Sequence, residues 1–135
     1  MRTKGVIPVY GKFKSVKKHC NLCNHEYDTH EEKRTDVNIA MGLFEDGMKD
    51  LYDKAIIISG DSDLIPPITK IQENFPDKKI GVIIPVGRKA NELKDVADFS
   101  SKITKSRLLE NLFPETIESS DCNVSAPVGW VDAAT

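Results

Sequence analysis

The chain has 135 residues, of which 39% are hydrophobic and 30% charged, with a formal net charge of −2 and a pI near 5.9. That length holds one domain with one modest core, and no apolar stretch approaches the ~18 residues that cross a bilayer. A mildly acidic chain exerts no global pull on polyanions, and Met1-Arg2-Thr3-Lys4 lacks the apolar run of a secretory leader, so the expected place is the cytoplasm, away from membranes.

Charge is placed less evenly than its total implies. Residues 1–19 carry Arg2, Lys4, Lys12, Lys14, Lys17 and Lys18 and no acid, whereas carboxylates gather from Glu26 onward. Such a basic flank beside an acidic centre suits a phosphodiester, and a lysine-rich face turned to solvent is the plainer reading. Val6 to Tyr10, continuing through Gly11-Lys12-Phe13-Lys14, reads as a strand, and Pro8, which donates no ladder hydrogen bond, assigns it to an edge. From Glu31 onward Val37, Ala40, Met41, Phe44, Met48 and Leu51 recur at helical spacing, with Glu31 and Glu32 near the amino end. Ala55-Ile56-Ile57-Ile58 then forms a short apolar strand, and Pro66-Pro67 opens a helix carrying Ile68, Ile71 and Phe75. Ile80 to Pro85 is a second buried strand, Gly87-Arg88-Lys89 a loop, and Ala90 to Phe99 a helix facing inward through Leu93, Val96 and Ala97. Lys102-Ile103-Thr104 is a last short strand, and Leu108, Leu109 and Leu112 stripe a final helix. The β-α-β-α order predicts a mostly parallel sheet with right-handed crossovers. Residues 1–118 form the domain, and 119–135, without periodicity, are expected to be a disordered tail.

The chemistry concentrates where the first interior strand ends. Ala55 to Ile58 runs into Ser59-Gly60-Asp61-Ser62-Asp63, and open α/β sheets bind ligands beyond the carboxyl ends of their strands. Two carboxylates so close repel unless hydrogen bonds, a shared proton or a hard cation offset the repulsion, and oxygen ligands suit Mg²⁺ or Mn²⁺. Asp36, in the first turn of the earlier helix, is the third acid. By position alone it complements the helix dipole, with Thr35 as N-cap, and Asp63 likewise fits the N-cap of the Pro66-Pro67 helix. As a set the three acids suit a metal clamp built from separate elements.

A second constellation is Cys20-Asn21-Leu22-Cys23-Asn24-His25. A Cys-x-x-Cys turn lets two thiolates reach one Zn²⁺, with His25, His30 or His19 as further ligands; a metal-free cysteine loop is the simpler alternative. The odd count of 3 cysteines, with Cys122 isolated, argues against a secreted disulfide framework.

Glu32-Lys33-Arg34-Thr35-Asp36-Val37-Asn38-Ile39-Ala40, then Tyr52 through Ser59-Gly60-Asp61-Ser62-Asp63-Leu64-Ile65-Pro66, then Gly81 to Pro85, Asn91-Glu92-Leu93 and Ala97-Asp98-Phe99, resemble the NYN domain of the PIN-like ribonuclease superfamily. The resemblance implies a three-layer α/β/α Rossmann-like sandwich and metal-dependent cleavage of RNA. It implies Asp36, Asp61 and Asp63 as catalytic carboxylates and, with Asp98, as Mg²⁺ or Mn²⁺ ligands. Ser59, Arg88, Lys89 and Asn91 are the candidate substrate contacts. Relatives of this kind usually begin with a strand ending in Asp-Gly-x-Asn, which has no counterpart here, so the chain resembles an N-terminally shortened member with an incomplete sheet. A second copy or a separately encoded segment would then cover the strand edge. The rival reading is a catalytically degenerate NYN-like module that binds RNA or a partner protein. Phosphotransferases of the haloacid-dehalogenase type also place Asp-x-Asp after a strand, but Leu64-Ile65-Pro66 departs from their continuation.

Overall fold

Short β-branched runs alternate with helices whose apolar positions recur every three or four residues, and this alternation builds the central body. The computed structural model describes residues 5–118 and 123–127. Strands β1 (Lys12–His19) and β2 (Glu26–Lys33) form an antiparallel ribbon, in register from Lys12 opposite Lys33 to His19 opposite Glu26. Helix α1 (Thr35–Met48), strand β3 (Lys54–Ile58), a 3-10 turn at Ser62–Leu64 and helix α2 (Ile65–Asn74) follow. Next come β4 (Lys79–Ile84), α3 (Asn91–Val96), β5 (Phe99–Lys102), α4 (Lys105–Leu109), β6 (Thr116–Ile117) and β7 (Val124–Ser125).

Strands β3, β4 and β5 lie side by side in that order, all parallel, which the crossovers through α2 and α3 require. Successive side chains of a strand point to opposite faces, and here the two faces differ sharply. Ile57 is 7% exposed on the face that packs with Leu64, Ile68, Ile71, Ile80, Val82, Ile84 and Leu93, while its neighbours Ile56 and Ile58 are 59% and 63% exposed on the other. Helix α1 joins the covered face against α2, where the rings of Phe44 and Phe75 meet edge-on at 5.5 Å. Among the described residues the architecture is therefore one helical layer on one sheet face. The second helical layer of an α/β/α sandwich is not found there. On the open face the Phe99 ring lies over Gly81, where an added Cβ would stand 2.0 Å from a ring carbon, so only glycine admits the ring.

The amino end of the sheet is tied by charge. Lys78, 8% exposed, donates to the Asp50 carboxylate at 2.5 Å and the Tyr52 carbonyl at 2.8 Å, with the Tyr52 ring centre 5.2 Å from its ammonium. A buried ammonium is tolerated because these partners replace its water shell.

Several sequence expectations move. The first strand is Lys12–His19, not Val6–Lys14, because the turn at Cys20 to His25 fixes the ribbon's register; residues 6–11 form no strand. Glu31 and Glu32 belong to β2, and the helix starts only at Thr35. Phe99 opens β5 instead of closing α3. Of the expected tail, residues 119–122 and 128–135 lie outside the described residues, while Val124–Ser125 pairs antiparallel with Thr116–Ile117.

Candidate active site

The chain leaves β3 through Ser59-Gly60-Asp61. Ser59 Oγ accepts the Asp61 N–H at 3.1 Å, and Asp61 Oδ1 accepts the Asp63 N–H at 3.0 Å, capping the 3-10 turn. Leu64, 1% exposed, anchors this turn in the core, and Ile65-Pro66-Pro67 then starts α2 with proline where helix N–H groups have no partner anyway. One oxygen of Asp61 is thus fixed locally and the other remains free to bind.

The loop after β4 folds over the same spot. Gly87 adopts φ 80, a left-handed conformation suited to glycine, and Arg88 N–H closes the turn on the Pro85 carbonyl at 3.3 Å. The stem of Arg88 then lies against Gly60, where an added Cβ would stand 3.1 Å from Arg88 Cβ and 3.3 Å from Cγ. A cleft of about 420 Å³ results, lined by Ser59, Asp61, Ser62 and Arg88 with Ile58 and Pro85 beneath. A second recess of about 310 Å³, sharing Gly60 and Ser62, is lined by Lys89, Asn91 and Glu92. The structure therefore gathers Ser59, Asp61, Arg88, Lys89 and Asn91 at one end of the sheet. Ser62, which contributes to both recesses, is missed by sequence reasoning, although its place between two aspartates was the available signal.

Asp36 comes from α1. Arg34, at φ 84, precedes the helix without a side-chain cap, and Glu32 accepts hydrogen bonds from the Thr35 backbone and hydroxyl, so Thr35 is not the N-cap expected from sequence. Because α1 leads down to the start of β3, its amino end lies at the end of the sheet where β3 finishes, and α1 touches the Ser62–Leu64 turn. Asp36 and Asp63 are both exposed, and neither carboxylate has a hydrogen-bond or salt-bridge partner among the described residues.

Asp98 requires correction as a metal ligand. Its Oδ2 accepts the Ile80 N–H at 2.9 Å and the Gln72 amide at 3.2 Å, and Lys79 Nζ stands 3.1 Å from Oδ1. The Ile80 N–H, together with Gln72 and Lys79, holds this carboxyl below the usual range. Ile80 is at the amino end of β4, whereas Asp61 follows the carboxyl end of β3, so the length of the parallel sheet separates the two acids. His30 is corrected as well: it pairs with Ser15, four register steps from the turn that carries Cys20 and Cys23, or ~13 Å at 3.3 Å per residue.

Among the described residues no three His, Cys, Asp or Glu side chains converge into a ready metal cage. The donors around Asp61 are nevertheless all oxygens, and Mg²⁺ commonly binds through one or two carboxylates, waters and substrate phosphate. They fit a hard cation held partly by its substrate.

The sequence profile of the NYN domain family matches residues 5–104. The 6-hydroxy-3-succinoylpyridine 3-monooxygenase HspA of Pseudomonas putida (strain DSM 28022 / S16) is 32% identical over 71 residues, which is 52% of this chain and 22% of that protein. A solved structure, the protein of unknown function VPA0982 from Vibrio parahaemolyticus RIMD 2210633, is 28% identical, with a TM-score of 0.47 over 52% of this chain and 41% of that one. The chain thus spans under half the length of either relative. With ribbon, parallel sheet and every candidate carboxylate inside the matched span, the chain belongs to the NYN domain family and so to the nuclease-like PIN superfamily.

Proposed function

We propose that the chain hydrolyses phosphodiester bonds of RNA at the carboxyl end of β3. The observation that carries this reading is the meeting, across Gly60, of the Asp61–Asp63 turn with Arg88. A phosphate needs cations and a cleaving site needs carboxylates, and one cleft offers both. Arg88, its stem pinned on Gly60, presents a guanidinium to a phosphate oxygen, and Lys89 and Asn91 in the adjoining recess serve the next stretch of backbone. Attack of water on phosphorus forms the new P–O bond as the bond to the departing oxygen breaks, the water's proton passes to solvent, and solvent protonates the departing oxygen. Mg²⁺ or Mn²⁺ bound by Asp61 and Asp63, with Asp36 from α1, would supply an acidified water and charge neutralisation at phosphorus.

The ribbon supports a polyanionic substrate. Its register puts Lys12, Lys14, Lys18 and Lys33 on one face with Glu31 and Tyr27, and Glu26, Asp28 and Glu32 on the other with Lys17. Lys18 and Lys33 are both paired with Glu31, which leaves Lys12 and Lys14 to engage phosphates. Cleavage of a fluorescent single-stranded RNA with Mn²⁺, by the native chain and by Asp61→Asn, tests the proposal. Loss of activity in the variant is expected, and equal rates would refute it.

The absence of a three-carboxylate group among the described residues favours a second reading, a module that holds RNA without cutting it. In that case the native chain binds the RNA, Asp61→Asn binds it equally well, and neither cleaves it.

A further inference from the structure

The turn between β1 and β2 takes no part in the cleft, yet it is organised around sulfur. Cys20 N–H donates to the His25 carbonyl at 2.9 Å and Asn24 N–H to the Cys20 carbonyl at 2.8 Å, with Asn24 left-handed at φ 55. These two bonds close the chain into a tight turn that carries both Cys20 and Cys23 at the end of the ribbon. Cys-x-x-Cys spacing on such a turn lets both sulfurs reach one ion through Zn–S bonds of about 2.3 Å. A structural zinc site closes with four ligands, however, and neither His25, His30 nor any other described Cys, His, Asp or Glu joins the pair. The turn is half a site. It stands at the tip of a ribbon of 8-residue strands, with Cys20 half-buried, Cys23 exposed and Leu22 beside them 98% exposed. Nothing among the described residues stands in the way of a second tip.

We infer that Cys20 and Cys23 bind Zn²⁺ together with the same two cysteines of a second copy, so that the metal joins two ribbons tip to tip in a tetrahedral four-thiolate site. The two Leu22 side chains, flanking the two-fold axis, lose water on joining. No redox step is involved; each thiol gives its proton to solvent as the metal binds.

The test uses the full chain under a phosphine reductant, titrated with Zn²⁺ and, for a spectroscopic readout, Co²⁺. The expected result is half an equivalent of zinc per chain, intense tetrahedral cobalt–thiolate absorption, and a sedimentation mass of twice 15.1 kDa that returns to one chain on chelation. Cys20→Ser and Cys23→Ser, each checked for an unchanged far-ultraviolet spectrum, abolish all three signals; His25→Ala and Cys122→Ser leave them intact. Failure to take up zinc, uptake of one equivalent by a monomer, a dimer that survives chelation, or loss of the site in Cys122→Ser would each overturn the inference. None of these readouts depends on RNA cleavage.

Discussion

Two aspartates that look alike in sequence are expected to behave oppositely when removed. Asp98→Ala takes away the acceptor for the Ile80 N–H and the partners Gln72 and Lys79 on a side chain only 21% exposed. Hydrogen bonds to a charged group contribute about 1.5–3 kcal/mol when well buried, and partial exposure reduces this to about 1–2 kcal/mol here. With an unfolding entropy of about 2.1 cal/mol/K per residue over roughly a hundred ordered residues, each kcal/mol moves Tm by about 4–5 °C, so a fall of about 4–10 °C is expected at neutral pH. The sign with pH follows from the lowered carboxyl: the folded state binds fewer protons than the unfolded one, so the stabilisation is complete above the ordinary aspartate value near ~3.9 and is lost as pH falls through the depressed folded value. The gap between native and variant melting curves should therefore narrow on acidification below that window. Asp61→Asn, which keeps an acceptor oxygen for the Asp63 N–H, should melt close to the native chain and lose RNA cleavage. Melting by circular dichroism from pH 7 down to acid, beside the RNA assay, decides the matter. An Asp98→Ala chain with an unchanged Tm and no cleavage would show that the carboxylate serves the reaction and that its assignment to the strand end is mistaken.

Three further outcomes follow from the geometry. Gly60→Ala pushes a methyl group to 3.1 Å from Arg88 Cβ, so it should swing the arginine and lower the rate of RNA cleavage several-fold while leaving the melting curve near native; a stopped assay and a melt together check this. Charge reversal at Lys12 and Lys14 should weaken binding of single-stranded RNA and flatten the dependence of log affinity on log salt by about 0.7 for each phosphate the ribbon no longer neutralises, measured by fluorescence anisotropy at several salt concentrations. Glu31 is held at about 2 by Lys18 and Lys33, so in Lys18→Ala its carboxyl should titrate nearer the ordinary glutamate range, followed by carbon-detected NMR.

The parallel sheet is readable because its signals are local and redundant. The Ala55 to Ile58 and Ile80 to Ile84 runs are apolar and bounded by glycine and proline, and both are strands within a residue of the expected limits. The cleft residues at Ser59, Asp61, Arg88, Lys89 and Asn91 are legible for a topological reason, since all follow strand ends on the same side of the sheet. Asp98 misleads because family likeness ranks residues by type and order, whereas its location depends on β5 starting at Phe99, one residue later. The β1–β2 ribbon escapes because its strands are almost entirely polar, KFKSVKKH and EYDTHEEK, and no apolar period marks them. Only the cross-strand register shows that charge sorts by face.

The ribbon is also a lever. It meets the body at a narrow pivot, where Asn38 donates to the Tyr10 carbonyl at 3.3 Å and where a Cβ on Gly11 would run into the Glu32 and Thr35 side chains. An arm of 8 residues at ~3.3 Å each is roughly 26 Å long, so turning it by about 10° at the pivot carries the tip through ~4–5 Å. The residues at that fulcrum, a strand's length from the cysteines, thereby set how accurately the tip is aimed.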